Sequence, residues 1–249
     1  MGAARRGAGW LVVAALLLLA PAARAADRVD LLLVLASDVS RSVDAEKFEL
    51  QRRGYGQAMA DPRVIEAIRS GSTGRIAVCF LEWSGVMSQK LVIDWTAIGD
   101  AETARQFGDR ILEAPRSFAD RTSISAAIDF AMTHLEAAPF EAPRRTIDVS
   151  GDGTNNSGRE VTAARDEALA KGVTINGLVI LSEHPLAWNP EHTNPPGGLA
   201  NYYRQNVIGG PRAFVMAAQD FKSFGQALIN KLIAEVAVVG RVGKLANSE

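Results

Sequence analysis

The feature that most constrains this chain is the spacing of its apolar residues. Short continuous apolar runs alternate with stretches in which apolar residues recur every three or four positions. That alternation predicts an α/β fold built on a mainly parallel sheet. Val29 to Ser37 (VDLLLVLAS), Arg75 to Trp83 (RIAVCFLEW) and Val173 to Leu181 (VTINGLVIL) read as strands buried on both faces. Arg145 to Ser150 and the shorter Ala213 to Ala217 complete the parallel set. Gln89 to Trp95 follows Trp83 after a link too short for a parallel crossover, so it is expected to pair as an antiparallel hairpin. Helices are expected over Val43 to Ala60, ended by Asp61-Pro62, and over Glu102 to Leu112. Two more follow the stripes Ile124, Ile128, Ala131, Leu135 and Phe221, Phe224, Leu228, Leu232. Ser157 and Glu160 have the spacing of a capping box and predict a helix start there. The expected fold is a doubly wound, mostly parallel central sheet with one antiparallel edge hairpin strand and helices on both faces.

The first 26 residues stand apart. Arg5 and Arg6 precede an apolar run, Trp10 to Ala20, which Pro21 breaks before the small residues of Ala22-Ala23-Arg24-Ala25-Ala26. This is the layout of a cleavable secretory signal, cut after Ala25 or Ala26. The run is too short to cross a bilayer core of about 30 Å, so an exported chain, periplasmic or secreted, is expected, with no membrane span in its mature part. The paired arginines also admit a twin-arginine route. Residues 27–249 then form one domain, with a long loop insertion at 182–212. With 27 basic against 28 acidic side chains there is no electrostatic case for nucleic acid, and losing three leader arginines leaves the mature chain mildly acidic. Cys79, the single cysteine, excludes an internal disulfide and reads as a core residue.

The chemistry concentrates in three turns. The first strand runs into Asp38-Val39-Ser40-Arg41-Ser42, whose alternation places one carboxylate and two hydroxyls on the same side of an extended turn. That donor set suits a hard divalent cation, and it equally suits a helix cap made by Ser42 or Asp44. Thr122 heads the Ile124–Ile128 helix, and Asp152 follows the Arg145–Ser150 strand in Ser150-Gly151-Asp152-Gly153. Loops leaving the carboxyl ends of neighbouring parallel strands converge on one rim, so Asp38, Ser40, Ser42, Thr122 and Asp152 can meet there.

This order resembles a von Willebrand factor A-like domain with its metal-ion-dependent adhesion site, over nearly the whole mature chain. It is most similar to uncharacterised exported bacterial members. The resemblance implies that Ser40, Ser42 and Thr122 supply hydroxyl ligands to Mg²⁺, or to Mn²⁺ or Ca²⁺. Asp38 and Asp152 would bind directly or through water. It also implies an open coordination position completed by the carboxylate of a protein partner. One departure is Gly151, where the family usually has a Thr or Ser before the Asp.

Other residues read more plainly. His134 is expected to face solvent or a neighbouring carboxylate, and Glu82 to cap the hairpin. His184 and His192 do not define a metal pair. No Gly-x-Ser-x-Gly elbow, phosphate loop or Ser-His-Asp setting is present, so no enzyme is expected. Ser182 to Arg212 carries five prolines and the aromatics Trp188, Tyr202 and Tyr203. Emerging on the metal rim, these aromatics either pin the loop to the domain or contact a partner. The expected function is an exported, divalent-metal-dependent protein-binding module. The rival readings are a metal-assisted hydrolase and a structural module with a vestigial site.

Overall fold

Why the chain forms these elements follows from which faces its strands bury. A computed structural model describes residues 26–182 and 186–237. The expected leader, apart from Ala26, and His184 lie outside the described residues. A two-residue β1 (Asp27–Arg28) precedes β2 (Leu32–Asp38), which is buried along its whole length. In β2 the side chains alternate between two cores, Leu33 and Leu35 into one and Leu32, Val34 and Ala36 into the other. A strand covered on both sides has to be apolar at every position, which is why its run is continuous.

After β2 come α1 (Ala45–Ala60) and α2 (Pro62–Arg69). Asp61-Pro62 was expected only to end a helix, yet it also begins one. The Asp61 carboxylate accepts from Arg63 N–H at 2.9 Å, and Pro62 occupies the first turn, where a missing N–H costs nothing. Then follow β3 (Ile76–Trp83), β4 (Gln89–Ile98), α3 (Ala101–Glu113), α4 (Ile124–Glu136) and β5 (Phe140–Glu141). The chain continues through β6 (Arg145–Gly151), α5 (Val161–Ala170) and β7 (Thr174–Ile180) to α6 (Pro190–Thr193) and α7 (Leu199–Asn206), and ends in β8 (Val215–Ala218) and α8 (Phe224–Val236).

The main sheet has the order β4-β3-β2-β6-β7-β8, antiparallel between β3 and β4 and parallel elsewhere. Helices α1, α2, α3 and α8 cover one face and α4, α5 and α7 the other. Because β2 and β6 run parallel in the register Ser37↔Ser150, Asp38 and Asp152 leave adjacent strands at the same rim. The hairpin is as expected.

Three expectations need correcting. Ser157 and Glu160 make no capping box: α5 starts at Val161 without any side-chain cap. Instead the backbone N–H groups of Asn156 and Ser157 donate to the Thr122 carbonyl at 2.9 and 3.2 Å, so this turn is used to hold the neighbouring loop. The 182–212 insertion is also not structureless. It folds into α6 and α7, and Leu199, Tyr203 and Val207 of the latter stretch are core residues. Glu82 does not cap the hairpin; it forms a fully buried ion pair with Arg52 and accepts from Ser117 N–H at 2.8 Å. No helix among the described residues is long and apolar enough to cross a membrane.

Candidate metal centre

Which residues cap the helices bears on the choice between cap and ligand. Asp44, not Ser42, caps α1, its carboxylate accepting from Lys47 N–H at 2.9 Å. Ser123, not Thr122, caps α4, accepting from Ala126 N–H at 3.3 Å. Ser42 and Thr122 are therefore free of helix duty, and both turn into one polar centre.

There, the Ser40 and Ser42 hydroxyls lie 3.1 Å apart, and the Ser42 hydroxyl donates to Asp152 Oδ1 at 2.5 Å. Asp38 Oδ1 accepts from Ser40 N–H at 2.7 Å, which folds the turn back over the strand end. The loop is braced from outside as well. Arg116 donates to the carbonyls of Val39 and Ser40 at 2.6 and 2.8 Å, and Arg41 N–H donates to the Asp120 carbonyl at 2.9 Å. Asn156 holds Thr122 in place, its Oδ1 accepting from Thr122 N–H at 3.0 Å.

All five predicted residues are thus buried at the rim within three connected turns. Their electrostatics are unbalanced. Asp38 is 0% exposed, and burial, then the nearby Asp152 charge, push its pKa up to about 8. Burial also raises Asp152, against the Ser42 hydrogen bond and Lys47, whose Nζ stands 4.0 Å from Oδ2. Asp38 Oδ2 and Asp152 Oδ2 are buried with no hydrogen-bond partner among the described residues. Two carboxylates with free oxygens, ringed by three hydroxyls and faced by one partly exposed lysine, fit a small divalent cation.

The insertion contributes more to this centre than its sequence suggested. His192 is 3% exposed and places Nε2 3.2 Å from Thr122 Oγ1, with Nδ1 3.3 Å from Thr154 Oγ1 and 3.4 Å from Asn156 Nδ2. Burial lowers its pKa, favouring the neutral ring. An imidazole therefore stands beside one of the five residues. Its signal lay in Gly153: a Cβ there would stand 2.3 Å from the imidazole, so glycine is what lets the ring approach.

Gly151 has a parallel explanation. A Cβ there would stand 2.7 Å from the Tyr203 hydroxyl and 3.1 Å from Asp38 Oδ2. The hydroxyl missing from position 151 is replaced in space by a phenol from α7. Burial, then the Asp38 charge, raise the Tyr203 pKa well above its ordinary value.

The three aromatics separate. Tyr203 is 0% exposed and so pins the insertion to the domain rather than offering itself to a partner. Tyr202 is half-buried, its hydroxyl accepting from Asn155 N–H at 3.1 Å. Trp188 is 69% exposed and lines a cleft of about 330 Å³ together with Ser42, Thr122, Asn156, Arg121 and His192.

Comparison with solved structures places the fold. Proximal thread matrix protein 1 from the mussel byssus superposes with a TM-score of 0.59 at 15% identity, covering 84% of this chain and 48% of that one. A further structure of that mussel protein carries zinc in its MIDAS motif. A von Willebrand factor type A protein from Catenulispora acidiphila gives 0.52 at 12% identity, over 84% and 42% of the two chains. Manganese-loaded TRAP protein from Plasmodium vivax gives 0.50 at 16%, over 82% and 73%. The chain spans about half the length of the mussel protein. At these identities the likeness establishes a von Willebrand factor A-like fold. No curated protein matches the sequence. The model of DUF1194, a protein family of unknown function, matches residues 28–240, and the chain belongs to that family.

Proposed function

We propose that this chain is an exported, divalent-metal-dependent binding module that captures a carboxylate of a protein partner at the Asp38–Ser40–Ser42–Thr122–Asp152 centre. The observation that carries the reading is the pair of buried carboxylate oxygens without a hydrogen-bond partner, beside three hydroxyls that do no capping. Few anionic ligands leave a bound cation electrophilic towards an acidic group from outside. Metal-loaded relatives of the fold, the zinc-occupied mussel protein and manganese-loaded TRAP, are consistent with it. Exposed Trp188, and Met87 at the turn leaving β3, flank this rim and offer apolar contact area. Arg41 and Arg121 line the same cleft and suit an acidic partner.

A binding role is favoured over catalysis because both ring nitrogens of His192 are already engaged by hydroxyl and amide groups. The test is calorimetric titration of chelator-stripped protein from Asp27 with Mg²⁺, Mn²⁺ and Ca²⁺, alongside Asp38→Ala. One-site binding that Asp38→Ala abolishes is expected, followed by chelator-reversible retention on an immobilised acidic peptide. Folded wild-type protein that takes up no metal would leave the vestigial, structural reading instead.

A further inference from the structure

We infer that a pocket at the opposite end of the sheet from Asp38 and Asp152 binds the phosphate group of a small phosphate monoester through Arg144, Arg212, Thr146 and Thr174. The pocket encloses about 420 Å³ where β6 and β7 begin and α8 ends. It shares no residue with the metal centre and is independent of that reading. Asp148 of β6 meets Lys231 of α8, so Thr146 and Arg144, at alternate positions before it, turn to the same face. Thr174 and Asn176 lie in register with Thr146 and Asp148 on the parallel neighbour, and so share that face. Thr146 is 8% exposed and borders the pocket, yet neither its hydroxyl nor that of Thr174 has a hydrogen-bond partner among the described residues. The fold leaves two hydroxyl donors unused in one recess.

Two guanidiniums complete the recess. Arg144 donates through Nη1 and Nη2 to the carbonyls of Glu235 and Val236 at 2.8 and 3.0 Å, which fixes it against the end of α8 and leaves it further N–H groups. Arg212 also lines the pocket and makes no hydrogen bond or ion pair among the described residues. Its backbone is unusual. Ala213 N–H donates to the Gly210 carbonyl at 3.2 Å, with Pro211 and Arg212 between them and a φ of 60° at Arg212. That is a type II turn, whose second central position ordinarily takes glycine or asparagine. Arg212 is the one non-glycine residue with positive φ among the described residues. Burial, then the Arg212 charge, hold the Arg144 guanidinium below its ordinary pKa. A strained arginine without a partner, set near a second guanidinium, is a conflict that a bound anion relieves. Glu235 borders the pocket too, but Lys231 and Asn176 donate to its Oε1 at 2.5 and 2.8 Å, and its Oε2 is buried. Two guanidiniums and two hydroxyls exceed what one carboxylate can accept and suit the charge and three terminal oxygens of a phosphate monoester. Pro143, Pro211 and Phe214 give its organic part an apolar wall.

The experiment is calorimetric titration of metal-stripped protein from Asp27, at fixed ionic strength, with phenyl phosphate, inorganic phosphate and benzoate. Wild type, Arg212→Gly and Thr146→Val are compared. Wild type is expected to bind phenyl phosphate at one site, more tightly than inorganic phosphate and far more tightly than benzoate. Arg212→Gly should lose phenyl phosphate affinity by on the order of 10- to 100-fold, while melting no lower than wild type because glycine suits the positive φ. Thr146→Val, of nearly equal volume, should lose roughly 2- to 10-fold. Sedimentation with phosphatidic acid vesicles identifies the source: co-sedimentation that Arg212→Gly abolishes assigns the site to a lipid phosphate, and phenyl phosphate binding without it assigns a soluble ester. Phenyl phosphate bound no more tightly than benzoate, or equally well by Arg212→Gly, would overturn the inference. So would folded wild type that binds no phosphate. Each of these results leaves the metal centre untouched.

Discussion

At the scale of single residues, Asp38 shows how a binding site opposes the fold that holds it. An acid whose folded pKa lies above its unfolded value keeps its proton more tightly when folded. Its contribution to metal-free stability is therefore complete below about pH 4 and is lost as pH rises towards 8. Asp38→Asn keeps an acceptor for Ser40 N–H and removes the charge. In chelator at pH 8 it is expected to melt above wild type, by roughly 2–4 °C for each kcal/mol relieved, and the advantage should shrink on lowering the pH to 5. Added Mg²⁺ should raise the melting temperature of wild type alone. A variant less stable than wild type at pH 8 in chelator would show that the buried charge is compensated in a way this account misses. The five rim residues were legible as a candidate set because three sit within one turn and the others head local motifs. His192 was not, since it meets Thr122 across 70 residues and no local spacing encodes that contact.

At the scale of elements, the sheet and most helices could be read because a strand buried on both faces needs a continuous apolar run and a covering helix needs a stripe. What those patterns hide is polar chemistry inside an apolar element. Helix α8 carries Lys231, fully buried, with Nζ 2.6 Å from Asp148 on β6 and 2.5 Å from Glu235 one turn on. Asn176 of β7 donates to Glu235 at 2.8 Å, and the ammonium sits 5.3 Å from the centre of the Phe214 ring. Burial, then the Glu235 charge, raise the Asp148 pKa to about 7 against the pull of Lys231. One cation thus offsets two carboxylates and ties α8 to the strand that leads into Asp152. Lys231→Met fits the apolar stripe yet leaves both carboxylates unpaired, at a cost of roughly 3–5 kcal/mol. Thermal unfolding should fall by roughly 10 °C. Neutralising Asp148 and Glu235 in the same variant should recover part of it. A single variant melting within a degree or two of wild type would remove the triad from any role in stability.

At the scale of the whole molecule, the insertion is two things joined end to end. Its first part, through α6, is a polar arm that lays His192 against Thr122 and leaves Trp188 exposed to solvent. Its second part, α7, belongs to the core, for Leu199, Tyr203 and Val207 are core residues and the helix packs against β7 and β8 with α5. The sequence offered one proline-rich loop because prolines and aromatics look alike in either setting; only burial divides them. A flexible loop can be shortened at little thermodynamic cost, since closure entropy changes slowly with length. Replacing residues 187–197 with a short Gly-Ser link should therefore preserve cooperative unfolding and lower the melting temperature by only a few degrees. The same protein should lose its retention on an acidic peptide. Extending the deletion through Asn206 removes a buried tyrosine and leucine and opens the Gly151 side of Asp38, so it should abolish the folded state, because losing such core side chains costs about 2–5 kcal/mol each. Circular dichroism and thermal melts of the two deletions distinguish these outcomes. If the shorter deletion unfolds the chain, the arm is part of the core, and its contacts at the metal rim are a consequence of packing rather than of binding.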